Sequence, residues 1–190
     1  FGDAAATSFY PAKPLGCYGD GGAIFTDNDN LAEKCKAIRF HGTTESDRYH
    51  SQMIGLNGRL DSIQAAVLLE KLTIFDEELD VRENISVEYR KNIKHTQYIP
   101  QNYASSHALF SFLLESKESR ETIISKLKTK LIPTAIYYKY PIHLMNAFSY
   151  LGYNKGDFPV AEDLSKRILS LPMHPYLSND ELKLIISTLT

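Results

Sequence analysis

The sequence has little that would tie it to a membrane, a nucleic acid or an oxidising compartment. No apolar run approaches the length of a membrane span. There is no basic excess: 21 Lys and Arg stand against 23 Asp and Glu, for a net charge of −2. That leaves no cationic field for nucleic acid and no polybasic patch for anionic lipid. Two cysteines, Cys17 and Cys35, are too few for a disulfide framework. Each reads as a reduced, buried, small apolar residue, and a cytoplasmic location is the expectation. Internal repeats and low-complexity tracts are absent as well. What is there is a globular composition, 190 residues with 43% hydrophobic and 23% charged side chains. Such a chain can bury one good core, or one domain and part of another.

The most informative stretch runs Ser8-Phe9-Tyr10-Pro11-Ala12-Lys13-Pro14-Leu15-Gly16-Cys17-Tyr18-Gly19-Asp20-Gly21-Gly22. Pro11 and Pro14 fix φ and remove two backbone donors, so Lys13 sits on a stiff turn. Gly19, Gly21 and Gly22 allow close backbone approaches. Ala23-Ile24-Phe25-Thr26 then reads as a short buried strand. A rigidly held lysine in a glycine-lined pocket suits Schiff-base chemistry with a carbonyl.

The whole stretch resembles the cofactor-lysine segment of the DegT/DnrJ/EryC1/StrS family. Its members are pyridoxal-phosphate (PLP) sugar aminotransferases with the aspartate-aminotransferase fold (fold type I). The resemblance implies an α/β fold in which Lys13 is the Schiff-base lysine and Ser8 hydrogen-bonds the PLP phosphate. It also implies that about half of the enzyme lies upstream, so the chain is expected to be the C-terminal part of a longer protein. Family dehydratases carry His at the lysine position, and Lys13 argues against that chemistry.

Along the chain, Asp29 or Asn30 is expected to cap a helix from about Leu31, with Leu31, Cys35 and Ile38 at helical spacing and Gly42 as a left-handed stop. Residues 43–54 are polar and aperiodic, a loop long enough to suspect of function. Gly55 and Gly58 bracket Asn57 in a tight turn. Asp61 or Ser62 starts a helix whose stripe runs through Leu60, Ile63, Val67, Leu68, Leu72 and Phe75. This segment resembles the family's Asn-Gly-Arg motif. The resemblance implies that Asn57 reaches across a homodimer interface to the partner's PLP phosphate, and that Arg59 meets the substrate. An arginine fork matches a carboxylate through two parallel hydrogen bonds.

Residues 76–95 read as a charged helix with Leu79, Ile85, Tyr89 and Ile93 facing inward and the charges solvated. Beyond 96, strands over 108–114 and 132–138 alternate with helices. One helix is opened by Ser119 and Glu121, one covers Val160–Leu169, and one is capped by Ser178. The resemblance divides the chain into the end of a large PLP-binding domain (1–76), a connecting helix (77–95) and a small C-terminal α/β domain (96–190). Tyr137 and Tyr138 stand where relatives often carry His-Tyr, and they are expected to bind substrate. Leu169-Ser170-Leu171-Pro172-Met173-His174 is similar to a second family motif. The implied reaction moves an amino group from L-glutamate to a keto-sugar nucleotide. The similarity points in particular to C3 of a UDP-linked 3-keto-N-acetylglucosaminuronic acid, for O-antigen-type polysaccharide. A C4-specific relative and a non-catalytic C-terminal fragment stay open as alternatives. No metal, nucleic acid or membrane partner is expected.

Overall fold

The computed structural model describes residues 2–44 and 46–189; Phe1, Glu45 and Thr190, which fall within the ranges read above, lie outside the described residues. The chain divides into two compact units, 1–76 and 77–190.

In the first unit, strands β1 (Ala5–Ser8) and β2 (Gly22–Phe25) pair antiparallel, with Ser8 opposite Gly22. The expected buried strand is instead exposed, with Ile24 and Phe25 each 58% accessible. Helix α1 (Asp29–Arg39) follows. Its cap is Asn28, whose Oδ1 accepts from the Leu31 N–H at 3.1 Å, and not Asp29 or Asn30. One residue earlier is the position from which a side-chain oxygen reaches the third amide of the helix. Gly42 does end this helix left-handed, with φ +73° and its N–H on the Ala37 carbonyl. Cys35 is half-buried where full burial was expected, whereas Cys17 is fully buried.

Helix α2 (Ser62–Leu72) starts where the sequence places it. Its inward face is Gln64, Val67, Leu68 and Lys71, one stripe at i, i+3, i+4 and i+7. Ile63, Leu69 and Leu72 point outward instead. Two polar residues, Gln64 and Lys71, thus occupy the inner face that the apolar spacing assigned to Ile63 and Leu72.

The second unit is built on helix α3 (Phe75–Asn92), strand β3 (Phe110–Leu113), helix α4 (Lys117–Thr129), helix α5 (Pro159–Arg167), strand β4 (Ile168–Leu171) and helix α6 (Asn179–Leu189). Strands β3 and β4 pair antiparallel, and single bridges extend them at Thr96↔Phe112 and Ala135↔Ser170. The expected strand over 132–138 reduces to that one bridge at Ala135, because Pro133 offers no donor beside it. Ile168 and Leu169, expected at the end of a helix, begin β4, and α5 stops at Arg167. Helix α4 opens earlier than expected, at a capping box in which Ser116 and Ser119 exchange side-chain and backbone hydrogen bonds.

The core joins Ile85 and Tyr89 of α3, Phe110 and Phe112 of β3, Leu127 of α4, Leu169 and Leu171 of β4, and Leu182 and Ile185 of α6. The charged face of α3 is not wholly solvated. Arg82 is buried and donates to the carbonyls of Met173 (2.9 Å) and His107 (3.2 Å). The Tyr89 hydroxyl donates to the Pro172 carbonyl at 3.0 Å. Together they satisfy the backbone of the Leu-Pro-Met-His segment, whose Leu171 and Met173 are core residues. Among the described residues, no helix is long and apolar enough to cross a membrane.

Candidate active site

The lysine turn is built by backbone bonds. The Lys13 N–H donates to the Tyr10 carbonyl at 2.8 Å, a turn that Pro11 pre-sets at its second position. Ser8 Oγ accepts from the Tyr10 N–H at 3.2 Å. Tyr10's peptide groups therefore join the two residues expected to meet the cofactor. The chain then folds back on itself. A Cβ at Gly16 would lie 2.7 Å from the Tyr10 carbonyl oxygen, and one at Gly22 would lie 2.7 Å from that of Thr7. Side chains could not enter either contact.

Three further side chains grip this loop. Cys17 Sγ lies 3.0 Å from the Phe9 carbonyl oxygen and 3.1 Å from that of Gly19, within reach of its single proton to either. Gln64 Oε1 accepts from the Tyr18 N–H at 2.8 Å. Lys71 Nζ donates to the Gly16 carbonyl at 2.6 Å and lies 5.3 Å from the Tyr18 ring centre. Sequence reasoning passed over Gln64 and Lys71. Their signal is the i, i+7 spacing around buried Leu68, which aims both at the loop. The Lys13 side chain is exposed, and its amine makes no hydrogen bond or ion pair among the described residues. A fixed backbone carrying a free amine fits covalent attachment of an aldehyde cofactor.

The Asn57–Arg59 turn is templated by the end of α1. Phe40 bridges Asn57, Leu56 N–H donates to Ile38 O at 2.8 Å, and Gly58 N–H to Arg39 O at 2.8 Å. Gly42 and Gly55 make this possible. A Cβ at Gly42 would sit 1.7 Å from Met53 O, and one at Gly55 would sit 2.0 Å from Gly42 N. Gly58, expected to be the second bracket, would meet only the end of the Leu56 side chain. Arg59 Nε donates to Asn57 Oδ1 at 2.9 Å, and its guanidinium lies 5.1 Å from the Phe40 ring centre. Asn57 and Arg59 are thus brought together, as are Ser8 and Lys13. Among the described residues no hydrogen bond or ring contact joins one pair to the other.

Tyr137 and Tyr138 belong to the second unit, with rings 5.7 Å apart and edge-on. They line an open apolar groove of about 540 Å³ together with Ile142, His143, Phe158 and Leu164. His143 Nε2 lies 3.2 Å from Glu162 Oε1, and both side chains are buried. The Gly156 N–H donates to the same oxygen at 2.6 Å. This bond, with the His143 contact, holds the Glu162 carboxyl below its ordinary range.

The family profile of the DegT/DnrJ/EryC1/StrS aminotransferases matches residues 1–190. The chain belongs to this family. It is 41% identical over 190 residues to the UDP-2-acetamido-2-deoxy-3-oxo-D-glucuronate aminotransferase of Pseudomonas aeruginosa, covering 98% of this chain and 51% of that one. It is 36% identical to the dTDP-3-amino-3,4,6-trideoxy-alpha-D-glucose transaminase of Micromonospora megalomicea, covering 94% and 49%. A solved DegT DnrJ EryC1 StrS aminotransferase from Brucella abortus superposes with a TM-score of 0.91 at 45% identity, over 100% of this chain and 50% of that one. The chain thus spans about half the length of the relatives it matches. PLP is the cofactor of this family. The sugar aminotransferase Spr1654 of Streptococcus pneumoniae has been solved in both PLP and PMP forms. In DegT-family terms, α2 does more than follow the Asn-Gly-Arg turn: through Gln64 and Lys71 it also supports the lysine loop.

Proposed function

We propose that this chain carries the lysine-bearing half of a PLP-dependent sugar-nucleotide aminotransferase, with L-glutamate as amino donor. The observation that carries the reading is Lys13: a free amine on a turn fixed by Tyr10 and backed by Gln64 and Lys71, in a chain of this family. Lys13 would hold the cofactor covalently, and the Ser8 hydroxyl would donate to its phosphate. When bound, the cofactor supplies the electron sink for the transfer. Once the incoming amine has displaced it, the freed Lys13 Nζ would take and return the proton at the amine-bearing carbon of the donor and, in the reverse direction, of the sugar. The tethered Tyr10–Lys13 turn keeps that amine on one side of the reacting carbon, so little orientational freedom is lost at each transfer.

Asn57 acts on the partner subunit's cofactor in a homodimer. Arg59, already oriented by Asn57 and Phe40, forks onto the carboxylate of a 3-keto uronic acid carried by UDP. Tyr137 and Tyr138 contact the sugar nucleotide. The test is amination by the enzyme, with glutamate, of a panel of keto-sugar nucleotides. The panel includes a 3-keto uronic acid, its analogue without the carboxylate, and a 4-keto sugar. The expected result is preference for the carboxylate-bearing 3-keto sugar, reduced about tenfold or more by Arg59→Ala. Equal turnover of the analogue, or a preference that survives Arg59→Ala, overturns the substrate assignment.

A further inference from the structure

The chain has a net charge of −2, yet one groove of its first unit gathers five cationic side chains: Lys34, Lys36, Arg39, Arg48 and Arg59. The groove has a volume of about 720 Å³, with Phe40 and Met53 as its apolar lining. Among the described residues its one acidic lining residue, Glu33, pairs with Lys36 at 2.7 Å. The Lys34, Arg39 and Arg48 side chains make no ion pair or hydrogen bond among the described residues. Helix α1 supplies Lys34 and Arg39, five residues apart and so from different stripes of the helix. The long polar loop supplies Arg48 from across the groove, where Thr44 and Ser46 hydroxyls also line it. Like charges gathered with so little opposite charge among the described residues repel one another. A lined concavity of one sign also focuses its field on an incoming anion.

We propose that this groove binds the diphosphate of the nucleotide sugar, with Arg39 and Arg48 as its principal ligands and Lys34 as a supporting charge. The proposal rests on the nucleotide-sugar reading above and extends it. Arg59 lines both this groove and the smaller one that it shares with Asn57, Asp61 and Ser62. It therefore stands where the sugar's carboxylate would end and the diphosphate begin. Guanidinium groups suit the task, since each can present two parallel N–H donors to a pair of phosphate oxygens. Two phosphates present enough oxygens to engage cations from both the helix and the loop, whereas one phosphate reaches only some of them. The Phe40 ring, 5.1 Å from the Arg59 guanidinium carbon, attracts that cation at the junction.

Calorimetric titration of the enzyme with UDP, UMP, uridine and inorganic pyrophosphate, at low and high salt, tests this. UDP is expected to bind about tenfold tighter than UMP, and the gap should narrow as salt rises. Arg48→Gln and Arg39→Gln should each weaken UDP and pyrophosphate by about two- to fivefold and leave uridine unchanged, as for exposed charge pairs. Both side chains are exposed and, among the described residues, unpaired, so folding should not suffer; Lys34→Gln gives a third, independent variant with a smaller effect. If all three variants bind UDP and pyrophosphate like the parent protein, the groove is not a diphosphate site. If UDP binding ignores these three but falls with Arg59→Ala, the groove proposal fails and the nucleotide reading stands. If pyrophosphate binds through Arg39 and Arg48 but UDP gains nothing over it, the diphosphate site stands and the nucleotide reading fails.

Discussion

Residues 77–189 bury eleven hydrophobic side chains in one cluster that runs from Ile85 to Ile185. Among the described residues of 2–76, none belongs to it, and the buried hydrophobic residues there are Cys17, Ala37 and Leu68. That first unit is instead held by backbone pairing, by glycines at close approach and by polar side chains such as Gln64 and Lys71 laid on a loop. The contrast suits the work proposed for each. An apolar core tolerates small shifts of its surface. A lysine that must present its amine in one place needs its backbone fixed bond by bond.

If the second unit depends on its core, the largest loss of stability should come from Leu127→Ala, at a fully buried position. A loss of about 3 kcal/mol is expected in chemical denaturation. A loss under 1 kcal/mol would mean that this core is not what holds residues 77–189.

The matching cut in the first unit is Gly42→Ala, which places a Cβ 1.7 Å from Met53 O at φ +73°. It should cost about 2 kcal/mol or more and weaken every readout that depends on Asn57 and Arg59. Gly58→Ala, which displaces only a flexible Leu56 side chain, should be far milder. Equal effects would undo the distinction drawn between the two glycines.

Lys71→Met comes next. It leaves the Gly16 carbonyl without its 2.6 Å donor and should cost about 1–2 kcal/mol. Its more telling effect is slower covalent capture of PLP, followed by absorbance, with the core of 77–189 untouched. Unchanged capture would mean that the loop does not need its support.

The smallest effect is that of Tyr89→Phe, which removes the bond to Pro172 O for about 1 kcal/mol. Burial pushes the Tyr89 phenol above its ordinary pKa. The unfolded chain therefore releases this proton first. The stability linked to Tyr89 is full below about pH 10 and is lost as pH rises beyond it. Phenylalanine should flatten that alkaline decline in a series of melts. A decline of the same slope in the variant would assign it to other groups.

Much of this was legible in the sequence because it is local. Two prolines around Lys13 make a turn wherever they fall, and helix α1 with its Gly42 stop follows from spacing and φ alone. What escaped depends on partners distant in sequence. Apolar spacing put Ile63 and Leu72 on the inner face of α2, but the loop it faces offers the Tyr18 N–H and the Gly16 carbonyl, and Gln64 and Lys71 answer those groups better. Ile168 and Leu169 continue a helical pattern, yet pairing with Phe112 and Leu113 turns them into strand. Arg82 reads as surface charge until the carbonyls of Met173 and His107 are brought against it. Of the proposed site residues, Lys13 stands on the most local signal: the prolines fix its turn, while the resemblance of the whole Ser8–Gly22 stretch to the family's segment supplies its proposed role.

The central claim is that Lys13 is the residue that holds the cofactor. The direct measurement is borohydride reduction of the PLP-loaded enzyme, followed by peptide mass spectrometry, with Lys13→Ala alongside. The claim requires the reduced cofactor on the peptide containing Lys13 and no label in the Lys13→Ala protein. A label on any other lysine, or undiminished labelling of the variant, would contradict it.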